Sequence, residues 1–227
     1  MTDTPSPEPA VLDVHPPHHA AQSWRDFLIH IATITIGLLI AIGLEQTVEY
    51  IHHRHQLAEM EDSLRAEGIE NRATAVADIR VADAAIATAS AAIAQLQAAR
   101  TGAVAAAPEI NLGVPGDSAW SAARDIGLLA LAPHALVDNG WKVHFIQEAV
   151  TAQVRKVYAD LDGIQALASI HPDIAALAPA DREALLVAYA NYRESLKVLK
   201  IDAALLDRAT GLALDGTTIE TGSLYKN

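Results

Sequence analysis

Ten histidines in a chain of 227 residues raise the question of metal binding first, because imidazole both ligates metals and titrates near neutrality. They fall mainly into two groups: His15, His18 and His19 near the start, and His52, His53 and His55 further on. On a helix, His52 and His55 share a face, and Glu49 precedes His52 by one turn. A carboxylate and an imidazole at this spacing can ligate a divalent ion. Glu49, His52, His53 and His55 are therefore the candidate metal ligands, and zinc would still need a further ligand, as from a dimer partner. The simpler reading is a polar collar at a membrane surface. A third is a collar that charges below about pH 6.5. Glu49-Tyr50-Ile51-His52 also matches the Glu-x-x-His of di-iron bundles, but the chain holds no second copy.

Little else invites catalysis. With no cysteine, the chain has no thiol nucleophile, disulfide or thiolate-ligated metal. It has no glycine-rich phosphate loop, nucleophile-elbow serine or visible pair of catalytic carboxylates. His134, His144 and His171 are isolated. Trp120 and Trp141 read as core anchors in a chain poor in aromatics. Arg124, beside Asp125, reads as pairing with an acid across a bundle. Glu45 reads as interfacial rather than as a proton-path carboxylate. The net charge of −12 argues against nucleic acid as a partner. The expectation is a non-enzymatic protein with no cofactor.

These residues hang on two kinds of element. The first is Phe27 to Leu44, eighteen residues with no formal charge. As a helix it covers about 27 Å, and flanking Trp24 and Tyr50 extend it toward the thickness of a bilayer core. Only one basic residue, Arg25, precedes it, and no small-residue cleavage site follows. It reads as a retained signal anchor over 23–46 rather than a cleaved signal. Arg25 on one side and Arg54 on the other give a weak bias, placing the N-terminus in the cytoplasm and the larger part outside. Thr33, Gly37 and Ala41 line one face at four-residue steps, a pattern that lets two membrane helices approach closely.

The second kind is the amphipathic helix. Hydrophobic residues make up 51% and aromatics 4%, with alanine filling the gap. Alanine favours helix over strand. Residues 1–22, rich in Pro and His, read as a disordered tail. A long helix is expected over 47–100, with a bend expected near Gly68, its one glycine. Ile79, Ile86 and Ile93 alternate with Ala82, Ala89 and Leu96 as a coiled-coil seam. That seam needs a partner, either later helices of this chain or another subunit. A linker is expected over 101–117, then helices over 118–131, 134–171 and 180–214, and a flexible tail over 215–227. In the third of these helices, Val143, Val150, Val154, Val157, Leu161, Ile164 and Ala168 keep a helical rhythm, broken by Gln147. In the last, Leu185, Tyr189, Tyr192, Leu196, Leu199, Ala203, Leu206 and Thr210 do the same. The expected fold is all-α: an N-terminal transmembrane helix continuing into an antiparallel helical bundle with coiled-coil-like packing.

Two stretches carry a resemblance. Ser23-Trp24-Arg25-Asp26-Phe27-Leu28, Gly37-Leu38-Leu39-Ile40-Ala41, Glu45-Gln46 and Leu64-Arg65-Ala66-Glu67-Gly68-Ile69-Glu70-Asn71 form the first. Ser118-Ala119-Trp120-Ser121-Ala122-Ala123-Arg124 and Gly127-Leu128-Leu129-Ala130-Leu131 form the second. Together they resemble uncharacterised single-span bacterial membrane proteins of unknown function, in which a tryptophan-flanked anchor precedes a helical domain. The histidines after the span depart from that pattern, which has mixed Arg and Glu there. The resemblance implies a bacterial membrane-anchored helical domain and assigns no catalytic or binding residue; with the charge bias at the span, the expectation is an inner-membrane protein whose C-terminal domain lies in the periplasm. The functional expectation is a membrane-anchored helical interaction or scaffold module. It would be homo-oligomeric or paired with another membrane or envelope protein. The alternative is a metal- or pH-responsive sensor built on the juxtamembrane histidines.

Overall fold

The computed structural model describes residues 23–98, 109–170, 173 and 176–224. Residues 1–22, with His15, His18 and His19, lie outside this set, as do His171 and residues 101–108 of the expected linker. The fold is all-α, with no strand among the described residues. Helix α1 comprises Trp24–Gln97, α2 Ser118–Asp125, α3 His134–Ile170, α4 Pro179–Leu214 and α5 Thr221–Leu224, with a 3₁₀ turn at Leu128–Leu131. The chain divides into two units, one ending at His52 and the other beginning at His53.

In the first unit, α1 is long and apolar enough to cross a membrane. Its most apolar eighteen residues have a mean hydropathy of 2.4, and none is buried. Ile34 and Leu39 are about two-thirds exposed. Ser23 caps the helix, its Oγ accepting from Asp26 N at 3.2 Å. Within the span, Thr33 Oγ1 donates to the Ile29 carbonyl at 2.9 Å, so this hydroxyl is satisfied on its own helix.

In the second unit, the later part of α1 packs with α3 and α4 around one core. That core joins Ala75, Ala82, Ala89 and Leu96 to Val150, Val154, Val157, Leu161 and Ile164, and to Leu185, Tyr189, Tyr192, Leu196, Leu199, Ala203 and Leu206. The seam on α1 therefore meets later helices of its own chain. Its centre differs from the expected one. The buried rows are Ala75, Ala82, Ala89, Leu96 and Asn71, Asp78, Ala85, Ala92. Ile79, Ile86 and Ile93 are half-buried and pack on the flank. Small side chains on the central line let the helix backbones come close, and the bulkier isoleucines fill the groove beside them.

Contacts fix the helix directions. Gly68 of α1 faces Thr210 and Leu214, Arg72 pairs with Asp207 at 2.7 Å, and Asp83 with Lys200 at 2.6 Å, so α4 runs antiparallel to α1. A Cβ on Gly68 would lie 3.2 Å from Thr210 Cγ2. The glycine thus marks the place where α4 approaches α1 closely. The α3–α4 hairpin is antiparallel as well, with Gln153 Nε2 donating to the Ser195 carbonyl at 2.8 Å. Helix α4 ends in a Schellman arrangement: Gly216 takes a φ of 70°, its N–H donates to Ala213 O at 3.1 Å, and Thr217 N donates to Leu212 O at 2.9 Å.

The segments expected to be a linker and a flexible tail are both held where they are described. Ile219 is fully buried, and Leu224 is buried beside Ala209 and Leu212. Asn139 donates to Thr217 O and accepts from Ile219 N, both at 2.9 Å. Lys142 Nζ donates to Ile219 O at 2.7 Å. Their polar anchors on α3 interrupt no hydrophobic rhythm, so the sequence pattern carries no sign of them.

Candidate functional site

The described end of the expected linker, residues 109–117, is a strap running back along α1. Four side chains from two helices pin its backbone. Asp78 Oδ1 accepts from Gly113 N at 2.9 Å, and Tyr158 OH accepts from Leu112 N at 3.0 Å. Asn71 pairs with both backbone groups of Gly116, donating to its carbonyl and accepting from its N–H, each at 2.8 Å. Gln147 Nε2 adds a 3.1 Å bond to the same carbonyl. This geometry lets an irregular backbone lie against helices without leaving its polar groups unpaired. It also shows that α1 and α3 run parallel, because Asn71 and Gln147 share one strap residue while Asp78 and Tyr158 hold adjacent earlier ones.

Where the strap ends, α2 begins, and Glu67 of α1 caps it. Glu67 Oε2 accepts from Ser118 Oγ at 2.7 Å and from Ala119 N at 2.9 Å. A carboxylate at a helix N-terminus satisfies an orphan N–H and complements the helix dipole. The two sequence stretches that carried the resemblance thus meet through Glu67, Ser118 and Ala119. Helix α2 then places Trp120, 4% exposed, with its ring beside His144 at a 6.0 Å centroid distance. A Cβ on Gly140 would lie 2.2 Å from Trp120 Cζ3, so this position of α3 must be glycine for the indole to fit.

Around Trp120 is a cleft of about 450 Å³ between α1, α2, α3 and the end of α4. Leu64, Trp120, Leu136, Val143 and Leu214 supply apolar wall, and Glu61, Asp62, Arg65 and Glu67 bring charge. Arg65 Nη1 donates to the Leu214 carbonyl at 3.3 Å. Thr210 also lines the cleft, and its hydroxyl is buried without a hydrogen-bond partner.

The residues singled out in the sequence distribute differently. Among the described residues, no three His, Asp or Glu side chains converge as a metal site would require. The expected set Glu49, His52, His53 and His55 is therefore not assembled within one chain; His55 Nε2 instead lies 3.1 Å from Glu59 one turn on. All four lie on one helix, and among the described residues no second element completes a three-ligand group with them. Gly37, at the centre of the Thr33, Gly37, Ala41 face, has nothing within 4 Å of a built Cβ. Trp120 is buried, as a core anchor should be, but Trp141 is 60% exposed and stacks on Phe145 at 5.7 Å. Arg124 pairs with its neighbour Asp125 at 3.2 Å rather than with an acid across the bundle.

Burial acts on a few titratable groups. Desolvation raises the Asp78 carboxyl above the usual range, partly offset by the Gly113 N–H, and its Oδ2 has no partner. Burial, reinforced by Tyr158 and Tyr189, pushes the Tyr192 phenol up to about 12. Asp78 serves the strap, and Tyr192 lies in the main core; neither lines the cleft.

The polar residues that sequence reasoning missed are Glu67, Asn71, Asp78 and Asn139. Asn71 and Asp78 stand at seven-residue steps in line with Ala85 and Ala92, and that alignment was the available signal. Gln147 was visible as a break in the valine row. Comparison with known proteins returned no matching family model, no matching curated protein and no matching solved structure.

Proposed function

We propose that this chain is a single-span, membrane-anchored helical binding module of the bacterial inner membrane, non-enzymatic and homo-oligomeric, with its bundle in the periplasm. The observation that carries the reading is the stretch Phe27 to Leu44, apolar on every face and wholly exposed. In water such a surface is costly. In a bilayer its Leu, Ile and Phe side chains contribute about 5 kcal/mol of favourable insertion free energy in total. The anchor explains the exposed helix, and the separate bundle explains the absorbed seam. With that seam packed internally, the span face of Thr33, Gly37 and Ala41 is the surface assigned here to self-association.

Two experiments test this. A single cysteine at Gly222, which is exposed and has open space around it, reports topology in a chain otherwise free of thiols. The chain should stay in the membrane through carbonate washing. Membrane-impermeant maleimide should label the cysteine once the outer membrane is opened; protection until the inner membrane is lysed would reverse the orientation. The second is Gly37→Ile. A Cβ at this position meets nothing within 4 Å, so the variant should leave the bundle's circular dichroism unchanged while lowering the cross-linked oligomer in membranes. A monomeric wild type, or an oligomer indifferent to Gly37→Ile, would remove self-association through this face.

A further inference from the structure

The cleft beside Trp120 has the size, wall and charge of a ligand site. Small-molecule sites typically enclose about 300–1,000 Å³ and join an apolar wall to a few polar groups. This one holds about 450 Å³. Its charge is one-sided: the carboxylates of Glu61, Asp62 and Glu67 stand against Arg65 alone. Arg65 is already engaged by the Leu214 carbonyl. Glu67 is engaged by Ser118 and Ala119. Among the described residues, the side chains of Glu61 and Asp62 make no ion pair or hydrogen bond. The C-terminal end of α4, a helix of 36 residues, reaches the same cleft through Ala213 and Leu214. Its carbonyl end adds negative potential, which the N-terminal turn of α3, with Ala135 and Leu136 in the same lining, offsets, so the side-chain charges set the sign.

We propose that this cleft binds a small molecule with an apolar body and one positive charge, an aryl-alkyl amine in chemical class. The apolar body lies against Leu64, Trp120, Leu136 and Val143. The ammonium faces Glu61 and Asp62 at the exposed rim. An anion of the same shape is disfavoured, because three carboxylates outnumber the single guanidinium of Arg65 at the cleft. The narrowness between α2 and α3 depends on Gly140, where any side chain would displace Trp120.

The test uses the full chain in nanodiscs of zwitterionic phosphatidylcholine, with empty nanodiscs subtracted. The probes are 3-phenylpropylamine, 3-phenylpropanol and 3-phenylpropanoate, which share one body and differ in charge. Binding is read by saturation-transfer NMR and titration calorimetry. The amine should bind saturably, the alcohol more weakly, and the acid not at all. Glu61→Gln and Asp62→Asn, both at exposed positions, should each weaken the amine about two- to fivefold and leave the alcohol unchanged. Ala135→Trp, at an exposed position of the cleft lining, should abolish both. Absence of saturable amine binding, equal binding of the acid, or amine binding indifferent to both carboxylate variants would each overturn the proposal. Should Ala135→Trp disturb the helical signal, the two carboxylate variants still decide.

Discussion

Replacing Asn71 by alanine should release the strap while leaving the bundle folded. The side-chain amide makes two 2.8 Å bonds to one residue, Gly116. Each such bond contributes about 1 kcal/mol net, so the loss is about 2 kcal/mol. The full penalty of an orphaned buried group does not apply, because Gly116 is exposed and water can replace Asn71 once the strap lifts. Gln147 keeps one 3.1 Å bond to the Gly116 carbonyl, so Gln147→Ala alone should cost only about 1 kcal/mol. Hydrogen exchange of the full chain in nanodiscs reads this locally. A loss of about 2 kcal/mol speeds exchange about thirtyfold where strap opening limits it. That acceleration should cover residues 112–119, and the α4 core from Leu196 to Leu206 should be unchanged. The reasoning fails if the strap amides accelerate less than about threefold. It fails equally if the whole bundle loses protection together, which would make Asn71 a global rather than a local tie.

Two further perturbations probe the packing. Gly140→Ala puts a Cβ within 2.2 Å of Trp120 Cζ3, so the indole must move. A loss of about 1–3 kcal/mol in denaturant titrations, with a red shift of Trp120 emission in a chain lacking the other two tryptophans, is the expected outcome. Tyr192→Phe tests the alkaline limb of stability. The folded state holds the phenol proton up to about 12, whereas the unfolded chain releases it near 10. The fold's advantage is therefore complete below pH 10 and is lost as pH rises toward 12, at about 1.4 kcal/mol per pH unit. Tyr192→Phe should flatten that slope. At neutral pH it should cost little or stabilise, because the buried hydroxyl it removes has no hydrogen-bond partner.

The apolar rows of α3 and α4 were legible in the sequence because burial repeats every three or four residues. Leu185 through Thr210 are buried in that rhythm. The row on α1 was legible only to within one position. Alanine is small enough for a central line and neutral enough for a flank, so the isoleucines drew attention to themselves. The strap was not legible at all. Prolines and glycines announce irregular backbone, but not whether side chains elsewhere will hold it. Asn71, Asp78 and Gln147 are separated in sequence from Gly113 and Gly116 by about thirty residues or more, and only the fold brings them to one line. The cleft was hidden for the same reason. Its walls come from four helices, and Glu61, Trp120, Leu136 and Leu214 share no local pattern.

The sequence by itself determined the helical class, the apolar stretch long enough to cross a membrane, and which faces of the last two long helices are buried. These follow from local chemistry: backbone propensity, the period of apolar residues, and the absence of charge over eighteen positions. Tertiary structure alone decided that the α1 seam closes on its own chain, that a strap folds back along it, and that an acidic, apolar-walled cleft opens beside Trp120. The physical reason is that side-chain hydrogen bonds to a distant backbone, and space left between four helices, belong to no local stretch of chain. They exist only once residues far apart in sequence are brought within 3 Å of one another.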